Sequence, residues 1–360
     1  MKAAIVGIAG PVLRPEEAAL LADCRPAGVI LFARNVEDRR QLAALRAALG
    51  QVLPPEAVLM VDQEGGRVAR LRPPHWAAHP PAGVVGEIFD HDPARGIRVA
   101  WLTGALIGMD CAEAGFDVVA APVLDLSVAG AHTVIGDRAL AKDPRAVARL
   151  GRAVAAGLLA AGVQPVGKHA PGHGRARVDS HLTLPRIETN EAEAALLAAD
   201  ILPFTLNAAL PWMMTAHIVY PSLDPIFPAT LSPAVIAGTI RGRMGFKGVL
   251  VSDDLAMKAL SGEPADLAVQ ALEAGCDLAL YCSGDLAATE TLLRRCPPVA
   301  GDAAERLAAA RAMAKRRRLT LDRSVLANER ARLLADPAPD LPGSQTPGRD
   351  PTDFRRTLAG

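Results

Sequence analysis

The sequence predicts an α/β fold of the (β/α)8 TIM-barrel type, and three observations predict it. Eight short runs rich in Val, Ile and Leu alternate with longer Ala- and Arg-rich stretches of helical period, as expected for β-α units around a buried parallel sheet. The chain has 360 residues, which is enough for a barrel of about 250 residues with extensions. No second hydrophobic core is indicated. We therefore predict a single catalytic domain over residues 1–335.

The predicted strands are short apolar runs, too short for helices and bounded by turn residues. They are Ala3–Ile8, Val29–Leu31, Val58–Val61, Val118–Ala120, Val163–Val166, Met213–Thr215, Val249–Val251 and Leu278–Tyr281. Several of the predicted helices between them begin with Ser, Asp or Pro, which favour helix N-termini. These helices are Glu16–Asp23, Asp38–Leu49, Pro93–Glu113, Pro144–Ala161, Glu191–Ala209, Ser232–Arg243 and Pro264–Ala274.

The N-terminal segment has two alternative interpretations. It could be a signal peptide, but the apolar run to about Val12 is short, lacks a convincing cleavage site and leads into an amphipathic segment. It could also be the first strand of a doubly wound open sheet, which would require a G-x-G-x-x-G turn after that strand. The residues Gly7 to Pro11 do not supply this turn. A first barrel strand is the better interpretation.

The C-terminal part of the chain predicts one more helix and a tail. The helix covers Asp302–Arg318, and we interpret the basic run Lys315–Arg318 as its solvated last turn. From Asp336 to Gly360 the sequence is rich in Pro, Gly and Asp and has no periodicity. Such a segment buries little apolar surface, so we predict that this tail is mostly disordered.

Composition restricts the partners and the compartment. Lys plus Arg equals Asp plus Glu at 39 each, so no charge excess favours nucleic acid or an anionic membrane. No run approaches the roughly 18 apolar residues of a transmembrane helix. The five cysteines are scattered without a C-x-x-C pair, which indicates buried thiols in a reducing compartment. We predict a cytoplasmic monomer with a small-molecule substrate.

An aspartate pair follows the seventh predicted strand, where a barrel places its active-site residues. Asp253 would be held at the mouth, where its carboxylate can attack an anomeric carbon and form a covalent glycosyl intermediate. A helix cap or a pair of metal ligands is the alternative. For Asp254 we predict the capping role.

A second acid or base is offered by Asp179-Ser180-His181 in the loop after the fifth strand. Residues i and i+2 of an extended segment point to the same side, so Asp179 can orient the imidazole of His181. Histidine titrates near neutral pH and suits proton transfer there. A purely structural role remains the alternative.

Other polar residues near the strand ends are candidates for binding sugar hydroxyls. Lys168 and His169 follow the fifth strand, Asp62 and Arg70 the third, and Arg138 the fourth. For the last three, internal salt bridges are an equally good interpretation. A zinc site is a rival interpretation, built from His169, His173, His181 and His217. Pro171 and Gly172 argue against a helix that would bring the first two of these histidines together.

The chain resembles the NagZ-type β-N-acetylhexosaminidases of glycoside hydrolase family 3. Seven ordered segments between about Val29 and Cys282 carry the resemblance. They are GVILFARN (28–35), VDQEGGRV (61–68), APVLD (121–125), IGDR (135–138), KHAPGHG with the following DSH (168–174 and 179–181), TAH (215–217) and GFKGVLVSDDLAM (245–257).

The resemblance implies a retaining enzyme that needs no metal and no organic cofactor. Asp253 would be the nucleophile, and His181 the acid/base on a mobile loop, supported by Asp179. The residues that it implies for binding a terminal N-acetylglucosamine are Asp62, Arg70, Arg138, Lys168 and His169.

Members of this family in many Gram-negative bacteria act in the cytoplasm on muropeptide fragments, where they release N-acetylglucosamine from 1,6-anhydro-N-acetylmuramic acid. The resemblance implies this substrate here. Ala170 departs from the Phe often found in the family, which would alter the pocket wall or the packing of the loop. A phosphorolytic enzyme and a non-catalytic sugar sensor are the alternative functions.

Overall fold

The computed structural model describes residues 1–187 and 191–335, with side chains given outside 191–196. Eight parallel strands close a barrel in chain order, from β1 to β8. The barrel closes where β1 (Lys2–Gly7) pairs with β8 (Leu278–Tyr281), with Val6 opposite Tyr281. The predicted (β/α)8 barrel is confirmed. The predicted tail, Asp336–Gly360, lies outside the described residues.

Each predicted apolar run overlaps one strand. The remaining strands are β2 (Pro26–Leu31), β3 (Val58–Val61), β4 (Val118–Val119), β5 (Gln164–Ala170), β6 (Trp212–Thr215) and β7 (Val249–Asp254). The differences lie mainly at the mouth, where β5 and β7 run further than predicted. Because polar residues occupy these strand ends, the apolar pattern stops before the strand does. Lys168, His169 and Asp253 are therefore held on strands rather than on loops.

Helices surround the barrel. They are α1 (Pro15–Cys24), α2 (Arg39–Val52), α3 (Ala82–His91), α4 (Pro93–Ala114), α5 (Pro144–Ala161), α6 (Glu191–Leu206), α7 (Pro264–Ala274), α8 (Leu286–Arg295), α9 (Gly301–Arg317) and α10 (Arg323–Ala335). The predicted helix Ser232–Arg243 has π-helical hydrogen bonding over Ala234–Arg243. The helices α3, α8 and α10 were not predicted.

Helix α3 shows why a glycine was misleading in the sequence. A side chain at Gly86 would place its Cβ 1.7 Å from the Leu140 carbonyl oxygen, so only glycine allows this close approach. The glycine weakens the helical signal. The contact holds the segment after β4, which carries Arg138 at the end of a short 3-10 turn.

The core has two layers separated by the sheet. Along β1, Ala3 and Ile5 face the barrel interior, whereas Ala4 and Val6 face the helices, as the alternation of a strand requires. In the interior, the indole Nε1 of Trp212 donates to Gln164 Oε1 at 2.9 Å. This bond satisfies a polar group that would otherwise be costly to bury.

The cysteines are buried thiols and the basic run is solvated, as predicted. All five cysteines are free and buried, and the run Lys315–Arg318 is exposed at the end of α9. Across residues 1–187 and 191–335, no helix combines the length and apolarity needed to cross a bilayer.

Candidate active site

A cavity opens at the C-terminal ends of the strands, where the sequence placed the candidate site. It encloses about 570 Å³ between the atoms, including the part open to solvent, within the size range of ligand pockets. Six of the eight predicted site residues line it, namely Asp62, Arg138, Lys168, His169, His181 and Asp253. The other two contact residues that line it, since Arg70 pairs with Asp62 and Asp179 pairs with His181.

Asp253 lies near the end of β7 and presents its carboxylate to the cavity. Burial opposes ionisation of this group, but the nearby His169 and His217 and the amide of Asp254 outweigh it. The Asp254 amide donates to Asp253 Oδ1 at 2.8 Å. The pKa of Asp253 is consequently lowered to about 2. The carboxylate is therefore ionised at neutral pH, as a nucleophile requires.

The neighbouring Asp254 has a different environment. Its Oδ1 accepts the amide hydrogens of Ala256 and Cys282, both at 2.9 Å. The predicted capping role is thus seen at a turn that ties β7 to β8, not at a helix. Burial raises the pKa of Asp254 to about 6. Two adjacent carboxyl groups are separated in pKa by their surroundings, a pattern typical of enzyme active sites.

Asp179 and His181 form the predicted pair, with Asp179 Oδ1 2.7 Å from His181 Nδ1. The local geometry differs from the prediction, because the segment is a turn and not extended. The amides of Leu182 and Thr183 donate to the Asp179 carbonyl oxygen at 2.9 Å. Burial opposes ionisation of Asp179, but hydrogen bonds from His181 outweigh it and lower its pKa to about 2.

Five charged side chains form a buried cluster on one side of the cavity. Lys168 Nζ lies 2.8 Å from Asp62 Oδ1 and 2.5 Å from Glu64 Oε1. Arg138 donates to both oxygens of Glu64 at 2.8 Å, and Arg70 lies 3.1 Å from Asp62 Oδ2. Internal ion pairs, the alternative interpretation for these residues, are therefore present. Because three of the five, Asp62, Arg138 and Lys168, also line the cavity, they can still meet a sugar.

Glu64 was missed by the sequence analysis. Burial opposes its ionisation, but Arg138 and Lys168 hold the pKa of Glu64 well below its usual range. A signal was available in the spacing, since Asp62 and Glu64 are two residues apart just after β3 and so lie on the same side of an extended chain.

His169 is oriented by a second carboxylate that the candidate site residues did not include. Asp125 Oδ2 lies 2.6 Å from His169 Nδ1, and Asp125 Oδ1 accepts the His173 amide hydrogen at 2.6 Å. The side chain of Asp125 is fully buried. This bond holds Nδ1 of His169 and turns the rest of the ring toward the cavity.

The four histidines of the zinc alternative have protein partners. His217 contacts Thr230 Oγ1 and the Asp254 carbonyl oxygen at 2.8 and 2.9 Å, and His173 Nε2 lies 2.9 Å from Ser180 Oγ. In the described residues, no group of three or more His, Cys, Asp or Glu side chains is arranged to hold a metal ion. The geometry instead favours acid/base and nucleophilic chemistry.

Ala170 does not line the cavity. Its side chain is fully buried in the outer core, among the residues between the sheet and the helices. The expected effect on the pocket wall is therefore not seen, and any effect of this alanine acts through packing behind β5. The apolar wall of the cavity is formed by other residues, namely Ile30, Phe32, Val134, Ile135, Met214, Met257, Leu280 and Cys282.

Comparisons with known proteins agree on one family. The model described as "Glycosyl hydrolase family 3 N terminal domain" matches residues 5–319. The chain is 43% identical over 283 residues to a β-hexosaminidase of Alkalilimnicola ehrlichii, covering 78% of this chain and 80% of that protein. It is 37% identical over 311 residues to a β-hexosaminidase of Aromatoleum aromaticum, covering 85% and 86%.

Solved structures give the same result. NagZ from Neisseria gonorrhoeae, in complex with N-trifluoroacetyl-D-glucosamine, superposes with a TM-score of 0.82 at 33% identity, covering 93% of this chain and 98% of that chain. A glycoside hydrolase family 3 β-N-acetylglucosaminidase from Paenibacillus has a TM-score of 0.74 at 30% identity, with coverage of 97% and 65%.

Proposed function

Because the chain belongs to glycosyl hydrolase family 3 and is a β-N-acetylhexosaminidase, we propose that it is a retaining enzyme that uses Asp253 as nucleophile and His181 as acid/base. It would release terminal β-linked N-acetylglucosamine through a covalent glycosyl-aspartate intermediate. One observation carries this proposal. The ionised carboxylate of Asp253 and the imidazole of His181, paired with Asp179, line the same cavity.

In the first step an oxygen of Asp253 attacks the anomeric carbon, and the bond to the leaving oxygen breaks. His181 gives that oxygen a proton, so the aglycone departs as an alcohol. The hydrogen on Nδ1 of His181 stays on the ring and is donated to Asp179, whose negative charge stabilises the doubly protonated ring. The proton that is transferred is therefore the one on Nε2.

In the second step water attacks the anomeric carbon of the intermediate from the side that the aglycone left. His181, now neutral, removes a proton from this water, and the bond between sugar and Asp253 breaks. The sugar leaves with its original anomeric configuration, and the carboxylate and the imidazolium are restored. Apart from the substrate and one water molecule, these steps need no other reactant to balance.

The charged cluster is proposed to bind the sugar hydroxyls. Lys168 and Arg138 line the cavity as donors, and Asp62 lines it as an acceptor held by Lys168 and Arg70. Because these groups are already paired, their positions are fixed before a sugar enters. We propose that His169, oriented by Asp125, contributes the remaining hydrogen bond.

The natural substrate is proposed to be a muropeptide fragment containing N-acetylglucosamine linked to 1,6-anhydro-N-acetylmuramic acid, degraded in the cytoplasm during cell-wall recycling. The support for the sugar is the likeness to a NagZ structure that holds an N-acylated glucosamine. The support for the compartment is the set of five buried free thiols, which suit reducing conditions.

Hydrolysis of three compounds by the full chain tests this proposal. They are an aryl β-N-acetylglucosaminide, the matching aryl β-glucoside and the anhydromuropeptide disaccharide, each with wild type and Asp253→Ala. We expect turnover of the first and third with β-anomer released first, and loss of both in the variant. Release of the α-anomer first would contradict retention, and failure on the disaccharide alone would contradict the natural substrate.

A further inference from the structure

The loop after β5 contains a side-chain contact that the proposed reaction does not use. His173 Nε2 lies 2.9 Å from Ser180 Oγ. Both side chains are buried, with exposed fractions of 3% for His173 and 2% for Ser180. Ser180 stands between Asp179 and His181 in the sequence, so this contact acts on the segment that carries the acid/base.

His173 belongs to a rigid part of the structure. Its amide donates to Asp125 Oδ1 at 2.6 Å, and Asp125 also holds His169. The hydroxyl of Tyr220 donates to the carbonyl oxygen of Gly172 at 2.7 Å. The position of His173 is therefore fixed by the same carboxylate that orients a cavity-lining histidine.

Ser180 belongs to an exposed part of the loop. It is the one buried residue in the stretch 177–184, in which the side chains of Val178 and Leu182 are 40% and 60% exposed. Exposed loop segments sample several conformations unless specific contacts hold them. The hydroxyl of Ser180 supplies such a contact within the residues that the structure describes.

The direction of the hydrogen bond follows from the surroundings of the ring. Burial and the neighbouring His169 lower the pKa of His173 to about 4, so the ring is neutral at pH 7 and carries one proton. In the described part of the chain its Nδ1 has no hydrogen-bond partner. A buried N–H without an acceptor is less tolerated than an unused lone pair. We therefore assign the proton to Nε2, which donates to Ser180 Oγ.

We propose that His173 and Ser180 are positioning residues that hold the Asp179–His181 turn at the cavity, so that His181 can protonate the leaving oxygen. The inference rests on the proposed acid/base role of His181. Neither residue takes part in bond making. Their hydrogen bond joins the fixed residues at Asp125 to the exposed stretch, and misplacement of a catalytic group by about 1 Å slows the reaction.

The test uses Ser180→Ala in the full chain, with two β-N-acetylglucosaminides whose leaving groups differ in acidity. One is a nitrophenyl glycoside, whose leaving oxygen needs little protonation, and the other is an alkyl glycoside, whose leaving oxygen must be protonated to depart. Since kcat/KM covers the steps from free enzyme and substrate to release of the aglycone, it leaves out the later hydrolysis of the intermediate, and comparing the two compounds isolates the acid role. We expect kcat/KM to fall about tenfold for the alkyl compound and less than about twofold for the nitrophenyl compound.

Thr183→Ala is the matched control, because it removes a hydroxyl from the same loop at an exposed side chain. We expect it to behave as wild type with both compounds. A second background, His173→Phe, removes the donor while keeping a flat ring. In this background Ser180→Ala should have no further effect if the two residues act through one bond.

Three results separate this inference from the proposed function. If His181→Ala affects both compounds equally, the acid role fails and the positioning role fails with it. If His181→Ala shows the leaving-group dependence but Ser180→Ala does not, the acid role stands and the positioning role is overturned. Equal loss on both compounds in Ser180→Ala, with an unchanged thermal unfolding midpoint, would also overturn it. If His173→Phe does not fold, the comparison of Ser180→Ala with Thr183→Ala decides.

Discussion

Oδ1 of Asp179 contacts His181 twice, accepting its amide hydrogen at 2.9 Å and lying 2.7 Å from its Nδ1. One carboxylate oxygen therefore fixes both the backbone turn and the ring orientation. The local sequence Asp-Ser-His is sufficient for this arrangement, because an aspartate side chain readily accepts the amide two residues later. The Asp179 carboxylate therefore lies at the Nδ1 side of the ring, and His181 lines the cavity.

Replacing Asp179 with Asn tests the value of that charge. The Asn oxygen can accept the same two hydrogens, but it does not stabilise a protonated ring. We expect kcat/KM for alkyl glycosides to fall by about two orders of magnitude, within the usual contribution of acid/base catalysis. Nitrophenyl glycosides should lose much less. Asp266→Asn, at an exposed ion pair with Arg295, is the control, and equal losses on both substrates would contradict the assignment.

The barrel could be predicted because parallel strands buried on both faces give continuous apolar runs. The ends of β5 and β7 could not be placed from these runs, because the residues there are polar and serve the cavity. For the same reason Lys168 and Asp253 were recognised by chemistry and not by hydrophobicity. Helix α10 escaped prediction because it is anchored by polar contacts, including Arg323 to Asp110 at 2.6 Å.

The sequence indicated six of the residues that line the cavity, but it did not indicate how the charged residues pair. The sequence does not reveal that Lys168 lies between Asp62 and Glu64, because these residues are about a hundred positions apart and meet only when the barrel closes. Asp125 was passed over for a similar reason. Its partner His169 comes from the next strand, and a lone aspartate after a strand has many possible roles.

Asp253→Asn should abolish turnover while keeping the fold. Asn retains the oxygen that accepts the Asp254 amide, but an amide does not form the glycosyl intermediate. We expect kcat to fall by about 10⁴-fold, a loss typical for removal of an essential reacting group. Asp254→Asn is the matched control, because its side-chain oxygen can still accept from Ala256 and Cys282, so most activity should remain.

Chemical rescue makes this prediction sharper. Asp253→Ala leaves space beside the anomeric carbon, and azide can attack there in place of the carboxylate. We expect azide to restore turnover of the nitrophenyl substrate and to give the α-glycosyl azide. Formation of the β-azide, or greater loss in Asp254→Asn than in Asp253→Asn, would be incompatible with Asp253 as the nucleophile.

Glu64→Gln should destabilise the protein. It removes the negative charge between Lys168 and Arg138, and breaking a buried ion pair costs about 3–5 kcal/mol. The pKa of Glu64 is lowered in the fold, so its stabilisation is present above its ordinary value of 4.5 and is lost as pH falls below it. The difference in unfolding free energy between wild type and variant should therefore begin to narrow as pH falls below 4.5, as urea titrations at pH 7 and pH 4 can measure.

Glu290→Gln is the control for this effect. Glu290 pairs with Arg294 one turn along an exposed helix, and such pairs contribute about 0.5 kcal/mol or less. We expect little destabilisation and little dependence on pH. If Glu64→Gln were as mild as Glu290→Gln at pH 7, the buried cluster would not stabilise the mouth of the barrel.

Asp200 on α6 should affect the unfolding free energy with the opposite dependence on pH. Its Oδ2 lies 2.7 Å from Arg175 Nε, yet burial outweighs this partner and raises the pKa of Asp200 to about 7. A carboxyl group with a raised pKa holds its proton more strongly in the fold than in the unfolded chain. Its contribution to stability therefore decreases as pH rises from about 4 to about 7.

Asp200→Asn should remove this decrease, because the amide has no charge to bury. The unfolding free energy of the variant minus that of wild type should be about 1–2 kcal/mol larger at pH 8 than at pH 5. This holds although the variant loses the ionic part of the contact with Arg175. Urea titrations at both values measure the gain. Asp285→Asn, at an exposed helix N-cap, should show no such change. A variant that loses stability relative to wild type as pH rises would mean that the ion pair with Arg175 dominates and that Asp200 is charged in the fold.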